Sequence, residues 1–194
     1  MTNFDTLRAN LEANGFAVSV FATAEEATSY LTGKLAGKTI GHGGSMTLEE
    51  MGLPDALAQC ATLYRHSRGS EEPMNTQAFL CSVNGLAETG EIINIDGAGN
   101  RVCGTIYGRE EVYFVVGKNK IAPDYDAALW RARNIAAPKN AQRLGRKTPC
   151  AVNGDKCYNC KSPERICRAL TVLWKKPITI KHAEVVLIDQ ELGY

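Results

Sequence analysis

The chain has 194 residues, of which 44% are hydrophobic and 22% are charged, and its formal net charge is +1. This is the composition of an ordinary globular protein, and the length suits one domain with a substantial core. The first residues lack the apolar stretch of a secretory signal, and no apolar run is long enough to predict a membrane span. We therefore expect a cytoplasmic protein, in which clustered cysteines are ligands or redox groups more often than structural disulfides.

The net charge hides an asymmetry between the two parts of the chain. Residues 1–138 contain 11 Lys and Arg against 16 Asp and Glu, whereas residues 139–194 contain 11 against 5. The basic residues 139–194 include the main cysteine cluster. The Lys and Arg side chains of this range either form a solvated face or stabilise a negatively charged metal–thiolate centre. We expect no nucleic-acid partner, because no recognised motif or aromatic-interleaved basic stripe is present.

Predicted helices and strands alternate along the chain. Apolar spacing predicts a first helix over 3–14, and a capping box at Thr23–Glu26 opens a second helix that runs towards Leu35. Residues 75–88 are ambiguous between helix, strand and turn, and 101–108 form an unassigned element after a tight turn. The remaining predictions are strands at 16–22, 39–42, 62–67, 91–96, 112–117 and 183–189, and helices after the 41–45 turn, over 123–137 and from Ser162.

This alternation predicts a three-layer α/β/α fold with a mostly parallel sheet, because parallel strands need helical crossovers on both faces. We expect one domain over residues 1–194, and no internal repeat or linker divides it. The cysteine-rich segment 148–168 is predicted to be a small insertion that forms a lobe at one edge.

The segment GHGGS follows the predicted strand at 39–42 and precedes a helix capped by Ser45 or Thr47. Such a turn presents backbone N–H groups, so Gly43, Gly44, Ser45 and Thr47 are candidates for binding a small anion. A plain strand-to-helix turn explains the glycines equally well. The segment matches neither a Walker A loop nor a dinucleotide fingerprint.

Polar side chains crowd the segment AETGEIINIDGAGNR. Glu88 precedes a turn at the mouth of a predicted strand and is the candidate catalytic carboxylate, as base or nucleophile. Asn100 and Arg101 are candidate anion ligands, although turn chemistry also accounts for the asparagine. Lys120 comes just after the strongest predicted strand, where open α/β sheets bind their ligands, so we expect it to hold an anion.

Four cysteines, Cys150, Cys157, Cys160 and Cys167, have the spacing C-x6-C-x2-C-x6-C. A central C-x2-C lets two sulfurs converge on one centre, and the outer pair can complete a tetrahedron. Zinc and a [4Fe–4S] cluster both accept four cysteines, and a redox dithiol or disulfide is the alternative. The surrounding segment has few large apolar groups, so we expect a bound centre to be part of its fold. The other three cysteines, Cys60, Cys81 and Cys103, are predicted to fill the core.

Taken together, these segments resemble the LUD-domain family, the lactate-utilisation proteins. The resemblance runs from about Gly43 to the C-terminus and is carried by GGSMTLEEMGL, AETGEIINIDGAGNRV, VYFVVGKNKI, ARNIAAPKNAQRL, the cysteine cluster with its closing RIC, and ELGY. It implies a fold similar to the ribose-phosphate isomerase, glucosamine-phosphate deaminase and CoA-transferase superfamily. Some members of the family are subunits of an iron–sulfur complex that oxidises L-lactate to pyruvate.

Three functional hypotheses follow, and they leave open whether the chain is itself an enzyme. The first is a redox-associated subunit or enzyme in the oxidation of lactate or a related small 2-hydroxy acid, with redox partner subunits and the four-cysteine centre. The second is a stand-alone sugar-phosphate isomerase or acyl-CoA transferase, with Glu88 as the catalytic carboxylate. The third is a non-enzymatic metal or redox sensor or scaffold.

Overall fold

The computed structural model describes residues 2–65 and 75–194 of the chain. The strands in these ranges are β1 (Ala17–Phe21), β2 (Thr39–His42), β3 (Thr62–Arg65), β4 (Ala78–Cys81), β5 (Gly85–Ala87), β6 (Ile92–Asp96), β7 (Glu111–Gly117), β8 (Ile121–Ala122), β9 (Ala169–Leu173) and β10 (His182–Ile188). The α-helices there are α1 (Asp5–Ala13), α2 (Ala24–Leu35), α3 (Met46–Glu50), α4 (Leu53–Ala58), α5 (Asn100–Ile106), α6 (Tyr125–Arg131), α7 (Ala137–Arg143) and α8 (Pro149–Asn153). A 3₁₀ turn follows β7, and a π-helical segment, Ala132–Ala136, joins α6 to α7. None of the helices in these ranges has the length and apolar character needed to cross a bilayer.

The main sheet contains six strands in the order β1-β10-β7-β4-β2-β3, and every neighbouring pair is parallel. Its central strand β7 is buried on both faces, which explains its nearly continuous apolar sequence. Because the strands are parallel, the segments that follow β2, β4 and β7 all emerge at one edge of the sheet. The predicted α/β fold with a mostly parallel sheet is confirmed.

The two faces of the main sheet bury different residues of β7. Val112, Phe114 and Val116 pack in the cluster that includes the apolar face of α1. Tyr113 and Val115, which alternate with them, pack in the cluster that includes the apolar face of α2. This period-2 alternation places helices on both faces of the sheet, as a three-layer fold requires.

A second, four-stranded sheet has the order β8-β5-β6-β9, with antiparallel pairing of β6 to both of its neighbours. The sequence did not predict this sheet, and it left residues 75–88 without an assignment. Strands β5 and β8 have only three and two residues, too few to establish a hydrophobic period. Leu86 and Ile92 of this sheet pack with Val112 and Val185 of the main sheet, so the two sheets share a core.

Side-chain caps begin three helices where the sequence predicts them. The Thr23 hydroxyl accepts a hydrogen bond from Glu26 N at 3.3 Å, and Asp124 Oδ1 accepts one from Ala127 N at 2.8 Å. Ser45, rather than Thr47, caps α3. Each cap satisfies a backbone N–H that the first helical turn leaves unpaired.

Two helix predictions differ from the structure. No helix begins at Ser162: the Ser162 hydroxyl accepts a hydrogen bond from Glu164 N in a turn that does not continue as a helix, and the Glu164 carboxylate accepts one from Lys147 N at 2.8 Å. The helix predicted over 123–137 is interrupted by the π-helical segment, a feature that often marks functional sites. The predicted strand at 62–67 ends at Arg65, and its last two residues lie outside the described residues.

The cysteine-rich segment begins with α8 and continues without regular structure to β9, which belongs to the second sheet. Arg168 N donates to Asp96 O at 2.9 Å, so the segment lies against the turn that follows β6. The approach is close: a Cβ on Gly97 would lie 2.7 Å from Ile166 O. Glycine at this position is therefore required for the segment to pack against the turn.

A buried carboxylate lies near the start of β10. The Glu184 side chain is 1% exposed, and its Oε1 accepts hydrogen bonds from the Ser19 and Tyr30 hydroxyls at 2.6 and 2.8 Å. Lys34 Nζ lies 2.6 Å and His182 Nε2 2.9 Å from Oε2. Burial alone would raise the pKa of Glu184, but these hydrogen bonds outweigh it and lower the pKa to about 2.

We predict that Glu184→Gln removes an acid-sensitive contribution to stability. The pKa of Glu184 falls from 4.5 to about 2 on folding, so its contribution is present above about pH 4.5 and is lost as the pH falls towards 2. Urea unfolding should give a wild type more stable than the variant by about 3 kcal/mol at neutral pH, and the difference should shrink steadily in acid. In the control Glu12→Gln, which removes an exposed carboxylate paired with Arg8, no such dependence should appear. A difference that is constant with pH would contradict the assigned charge state.

A second prediction concerns the contact between Gly97 and the cysteine-rich segment. In Gly97→Ala the new methyl group clashes with Ile166 O, so the segment must move, at a cost of about 1–3 kcal/mol in the free energy of unfolding. Limited proteolysis should then cut within residues 154–168 faster than in the wild type. The matched control is Gly33→Ala in α2, where a Cβ meets no atom within 4 Å and should leave cleavage unchanged. Equal protease resistance of Gly97→Ala and the wild type would contradict the packing.

Candidate anion cleft and cysteine cavity

A cleft of about 1050 Å³ opens at the edge where the strands of the main sheet end. Residues that follow β2, β4 and β7 line it, together with the first residues of α5. Six residues that the sequence proposed for anion binding are brought together here, namely Gly43, Gly44, Ser45, Asn100, Arg101 and Lys120. Their proximity is therefore established, and anion binding by them stays a prediction.

Lys120 is the most deeply buried cation of the cleft. Its side chain is 4% exposed, and its Nζ donates to Ser82 Oγ at 3.0 Å and to Val83 O at 3.3 Å. Burial, reinforced by the charges of Arg131 and Arg101, lowers the pKa of Lys120 to about 7. The amine therefore exchanges between its charged and neutral forms near neutral pH.

Arg131 is a second buried cation beside the cleft and is 7% exposed. Its guanidinium donates to the backbone carbonyls of Asn119 and Asn84 at 2.8 and 2.7 Å, and to Tyr194 O, an oxygen of the last residue, at 3.2 Å. Burial lowers its pKa to about 10, so it stays charged at neutral pH. Among residues 2–65 and 75–194, no Asp or Glu side chain forms an ion pair with Arg131 or Lys120. A bound anion would compensate this buried positive charge.

Arg101 links the two sides of the cleft. Its side chain packs so closely against Gly43 that a Cβ there would lie 2.6 Å from Arg101 Cγ. Asn100 Nδ2 donates to Gly43 O at 2.9 Å, which joins the start of α5 to the end of β2. The Arg101 guanidinium also donates to Ile95 O and lies 3.6 Å from Asp96 Oδ1, so its charge is partly compensated.

Two predicted site residues do not line the cleft. Glu88 follows β5, whereas Asn84 at the other end of that strand lines the cleft. The backbone N–H of Glu88 bonds Ala122 O, and its carbonyl accepts from Asn10 Nδ2 at 2.7 Å. Thr47 is buried, and its hydroxyl donates to Leu192 O at 3.2 Å. The catalytic role of Glu88 therefore stays a prediction to which this arrangement adds no support.

A smaller cavity of about 320 Å³ is lined by all four cysteines of the cluster, Cys150, Cys157, Cys160 and Cys167. All are free thiols with partly exposed side chains. Arg165 Nε lies 3.1 Å from Cys167 Sγ, and Cys157 Sγ accepts a hydrogen bond from Asn159 N at 3.4 Å. N–H donors of this kind surround the sulfur ligands of iron–sulfur clusters and tune them.

The four thiols match a four-cysteine centre in number and chemistry, but they do not form a closed site for one ion. In the part of the chain that the structure describes, no three His, Cys, Asp or Glu side chains are grouped closely enough to hold a metal ion. A tetrahedral zinc site would therefore require the sulfurs to move together. A [4Fe–4S] cluster, which is larger than a single ion, keeps its sulfur ligands further apart.

The cleft and the cysteine cavity adjoin one another. Five residues line both, namely Ile95, Ala137, Arg165, Ile166 and Arg168. The segment 163–168 thus forms a wall of the cleft on one side and contributes to the cysteine cavity on the other. An anion in the cleft and a centre held by the cysteines would be neighbours.

Sequence reasoning missed several residues that line the cleft or lie beside it. Arg131 lies within a predicted helix, where one arginine carries no sign that it turns inward. Asn84 and Ser82 fall in the segment whose secondary structure was ambiguous. Cys103, which was expected in the core, is exposed and lines the cleft because α5 turns it outward. None of these positions carries a local signal, since tertiary packing decides their exposure.

Comparison with known proteins agrees with the fold and identifies the family. Residues 5–188 match the family described as the LUD domain. The structure is similar to a crystal structure of a DUF162 family protein from Deinococcus radiodurans, with a TM-score of 0.58, 14% sequence identity and 94% of each chain covered. At that identity the likeness concerns the fold alone. No curated protein sequence matches the chain. Because the family match covers most of its length, the chain belongs to the LUD-domain family, which is associated with lactate utilisation.

Proposed function

We propose that the chain is a redox-associated component of lactate utilisation that binds a small 2-hydroxy acid, or the matching 2-keto acid, in the cleft. The observation that carries this proposal is the shared wall between the cleft and the cavity of the four cysteines. Oxidation of a hydroxy acid requires the substrate and an electron acceptor to be close together. The shared wall supplies that proximity.

The cleft favours a carboxylate because, in the described residues, no Asp or Glu side chain pairs with Lys120, which lines it, or with Arg131 beside it. Lys120 donates to a serine hydroxyl and a backbone carbonyl, and Arg131 has no side-chain carboxylate partner, so a ligand carboxylate would lower the electrostatic cost of burying them. Arg101 and Asn100 lie on the same cleft and can orient the carboxylate or the hydroxyl of the ligand. With its pKa of about 7, the amine of Lys120 can also hold or release a proton during the reaction.

Cys150, Cys157, Cys160 and Cys167 would hold the proposed centre, either a [4Fe–4S] cluster or zinc. A cluster would supply one-electron transfer, whereas zinc would act as a structural cross-link. We favour the cluster, since the thiols line one cavity without a closed group of ion ligands. Oxidation of a hydroxy acid releases two electrons, whereas the cluster transfers one electron at a time. The final electron acceptor is then a redox partner subunit.

The two other hypotheses receive less support. An isomerase or CoA transferase that uses Glu88 requires this carboxylate to face the substrate, and Glu88 does not line the cleft. A sensor or scaffold would share the cysteine centre but would have no use for a cleft lined by buried cations. Binding of a hydroxy acid separates this last hypothesis from the proposal.

We predict that protein prepared without oxygen carries one cluster or one zinc ion per chain. A cluster would give broad visible absorbance, and zinc would give a colourless protein in which metal analysis finds about one equivalent. The double variant Cys157→Ser/Cys160→Ser should lose the metal and increase proteolysis within 154–168, while the circular dichroism of the α/β core is retained.

The matched control for this experiment is Cys60→Ser. Cys60 is a partly buried thiol that packs against the core beyond the lobe, so its replacement should leave the metal content unchanged. A wild type without metal after anaerobic reconstitution with iron, sulfide or zinc would overturn the proposed centre. A double variant that keeps its metal would also overturn the proposed centre.

We also predict that L-lactate binds more weakly as the pH rises. A bound carboxylate favours the ammonium form of Lys120, whose pKa in the free protein is about 7. Affinity should thus be highest below pH 7 and should fall up to about tenfold per pH unit above it, with proton uptake on binding. Calorimetry in buffers of different ionisation enthalpy measures both quantities.

The variants Lys120→Met and Lys118→Met provide the comparison. Lys118 is 40% exposed and pairs with Asp189 at 3.1 Å, so its removal should change neither the affinity nor its pH dependence. Lys120→Met should weaken binding and abolish the proton uptake. Binding of L-lactate that is independent of pH in the wild type would contradict the role of Lys120, and no binding at any pH would contradict the proposed ligand.

A further inference from the structure

Lys120 has features that anion binding alone does not require. An anion holder works best as a permanently charged, partly exposed side chain, and Arg101, which lines the cleft, already supplies such a charge. Lys120 instead places a primary amine, 4% exposed, against a serine hydroxyl and a backbone carbonyl. It lines the cleft nonetheless, so the amine and a bound ligand can meet.

The charged groups around Lys120 favour its neutral form. Burial acts most strongly against protonation, and the positive charges of Arg131 and Arg101 add to it. Glu50 and the thiol of Cys81 act in the opposite direction with smaller effect, and burial raises the pKa of that thiol to about 12. A desolvated lysine beside other cations is the arrangement that makes an amine nucleophilic at neutral pH.

We propose that Lys120 forms a covalent imine with a small 2-keto acid bound in the cleft. The inference deepens the proposed function and rests on it, because the keto acid is the oxidised partner of the 2-hydroxy acid. The ligand's carboxylate pairs with the cleft arginines, which leaves its adjacent carbonyl carbon to face the amine.

The reaction balances without any additional reagent. The lone pair of Lys120 Nζ attacks the carbonyl carbon at C2, and the carbonyl π electrons move to its oxygen. Both protons of the neutral amine finally reside on that oxygen, which leaves as water, and a C=N double bond remains. Ser82 Oγ lies 3.0 Å from Nζ and is placed to relay a proton during the exchange.

The proposal also predicts which carbonyl compounds react. A 2-keto acid places its carbonyl next to the carboxylate that the cations hold, which raises the local concentration of the electrophile. A simple ketone of similar size lacks this anchor and should react far less. A hydroxy acid carries no carbonyl and should not react at all.

Reductive trapping tests the inference on the full chain. Purified protein is incubated with pyruvate near neutral pH and treated with sodium borohydride, which reduces an imine to a stable secondary amine. Intact mass and peptide mapping should then find one pyruvate-derived group per chain, on Lys120. L-lactate and acetone, treated alike, should give less than about one tenth of this labelling.

The variants Lys120→Arg and Lys118→Met make the result decisive. Lys120→Arg keeps the positive charge and should bind pyruvate in calorimetry without labelling, and a thermal melt checks that it folds. Lys118→Met should label as the wild type does, since Lys118 is exposed and ion-paired.

Three results would overturn the inference. Pyruvate that binds in calorimetry without labelling Lys120 would remove the imine and leave the proposed function standing. Labelling spread evenly over surface lysines would indicate non-specific reduction. Absence of pyruvate binding in the wild type would defeat the imine and the proposed ligand together.

Discussion

The parallel pairing of the main sheet is the constraint on which the rest of the structure depends. Parallel strands all end at the same edge, so the segments after β2, β4 and β7 come together although they are far apart in sequence. This convergence places Gly43 and Lys120 in one cleft with Ser82 between them in strand order. It also fixes where α5 begins, since Asn100 bonds the backbone of Gly43.

Buried charged side chains have different kinds of partner at the two edges of the main sheet. At the amino-terminal edge, the carboxylate of Glu184 is surrounded by donors, including the ammonium of Lys34, and its charge is compensated. At the carboxyl-terminal edge, no Asp or Glu side chain among the described residues pairs with Lys120 or Arg131. Compensated burial stabilises a fold, whereas uncompensated positive charge costs stability unless a ligand supplies the anion. This contrast is the physical reason for placing ligand binding at the second edge.

The cysteine-rich segment acts on the cleft because it is part of the cleft wall. Arg168 bonds the backbone of Asp96, and Ile166 packs on Gly97, in the turn that leads into Arg101. A change that reorders the cysteines would therefore act on residues that also line the cleft. The cysteine-rich segment and the cleft are therefore connected by direct contact, without a longer chain of intervening residues.

Local patterns in the sequence determined the α/β alternation, the capped start of the helix at Thr23, the presence of a helix within 123–137, and the grouping of four cysteines. These features depend on neighbours within one turn or one strand, which a single sequence displays. The second sheet, the outward position of Cys103 and the separation of Glu88 from the cleft depended on tertiary structure. Strands of two and three residues acquire their pairing only from distant partners. Arg131 is the clearest case. Its charge is visible in the sequence, but only the packing of α6 against β5 buries it. Burial matters because a buried charge is costly unless an opposite charge or hydrogen bonds compensate it.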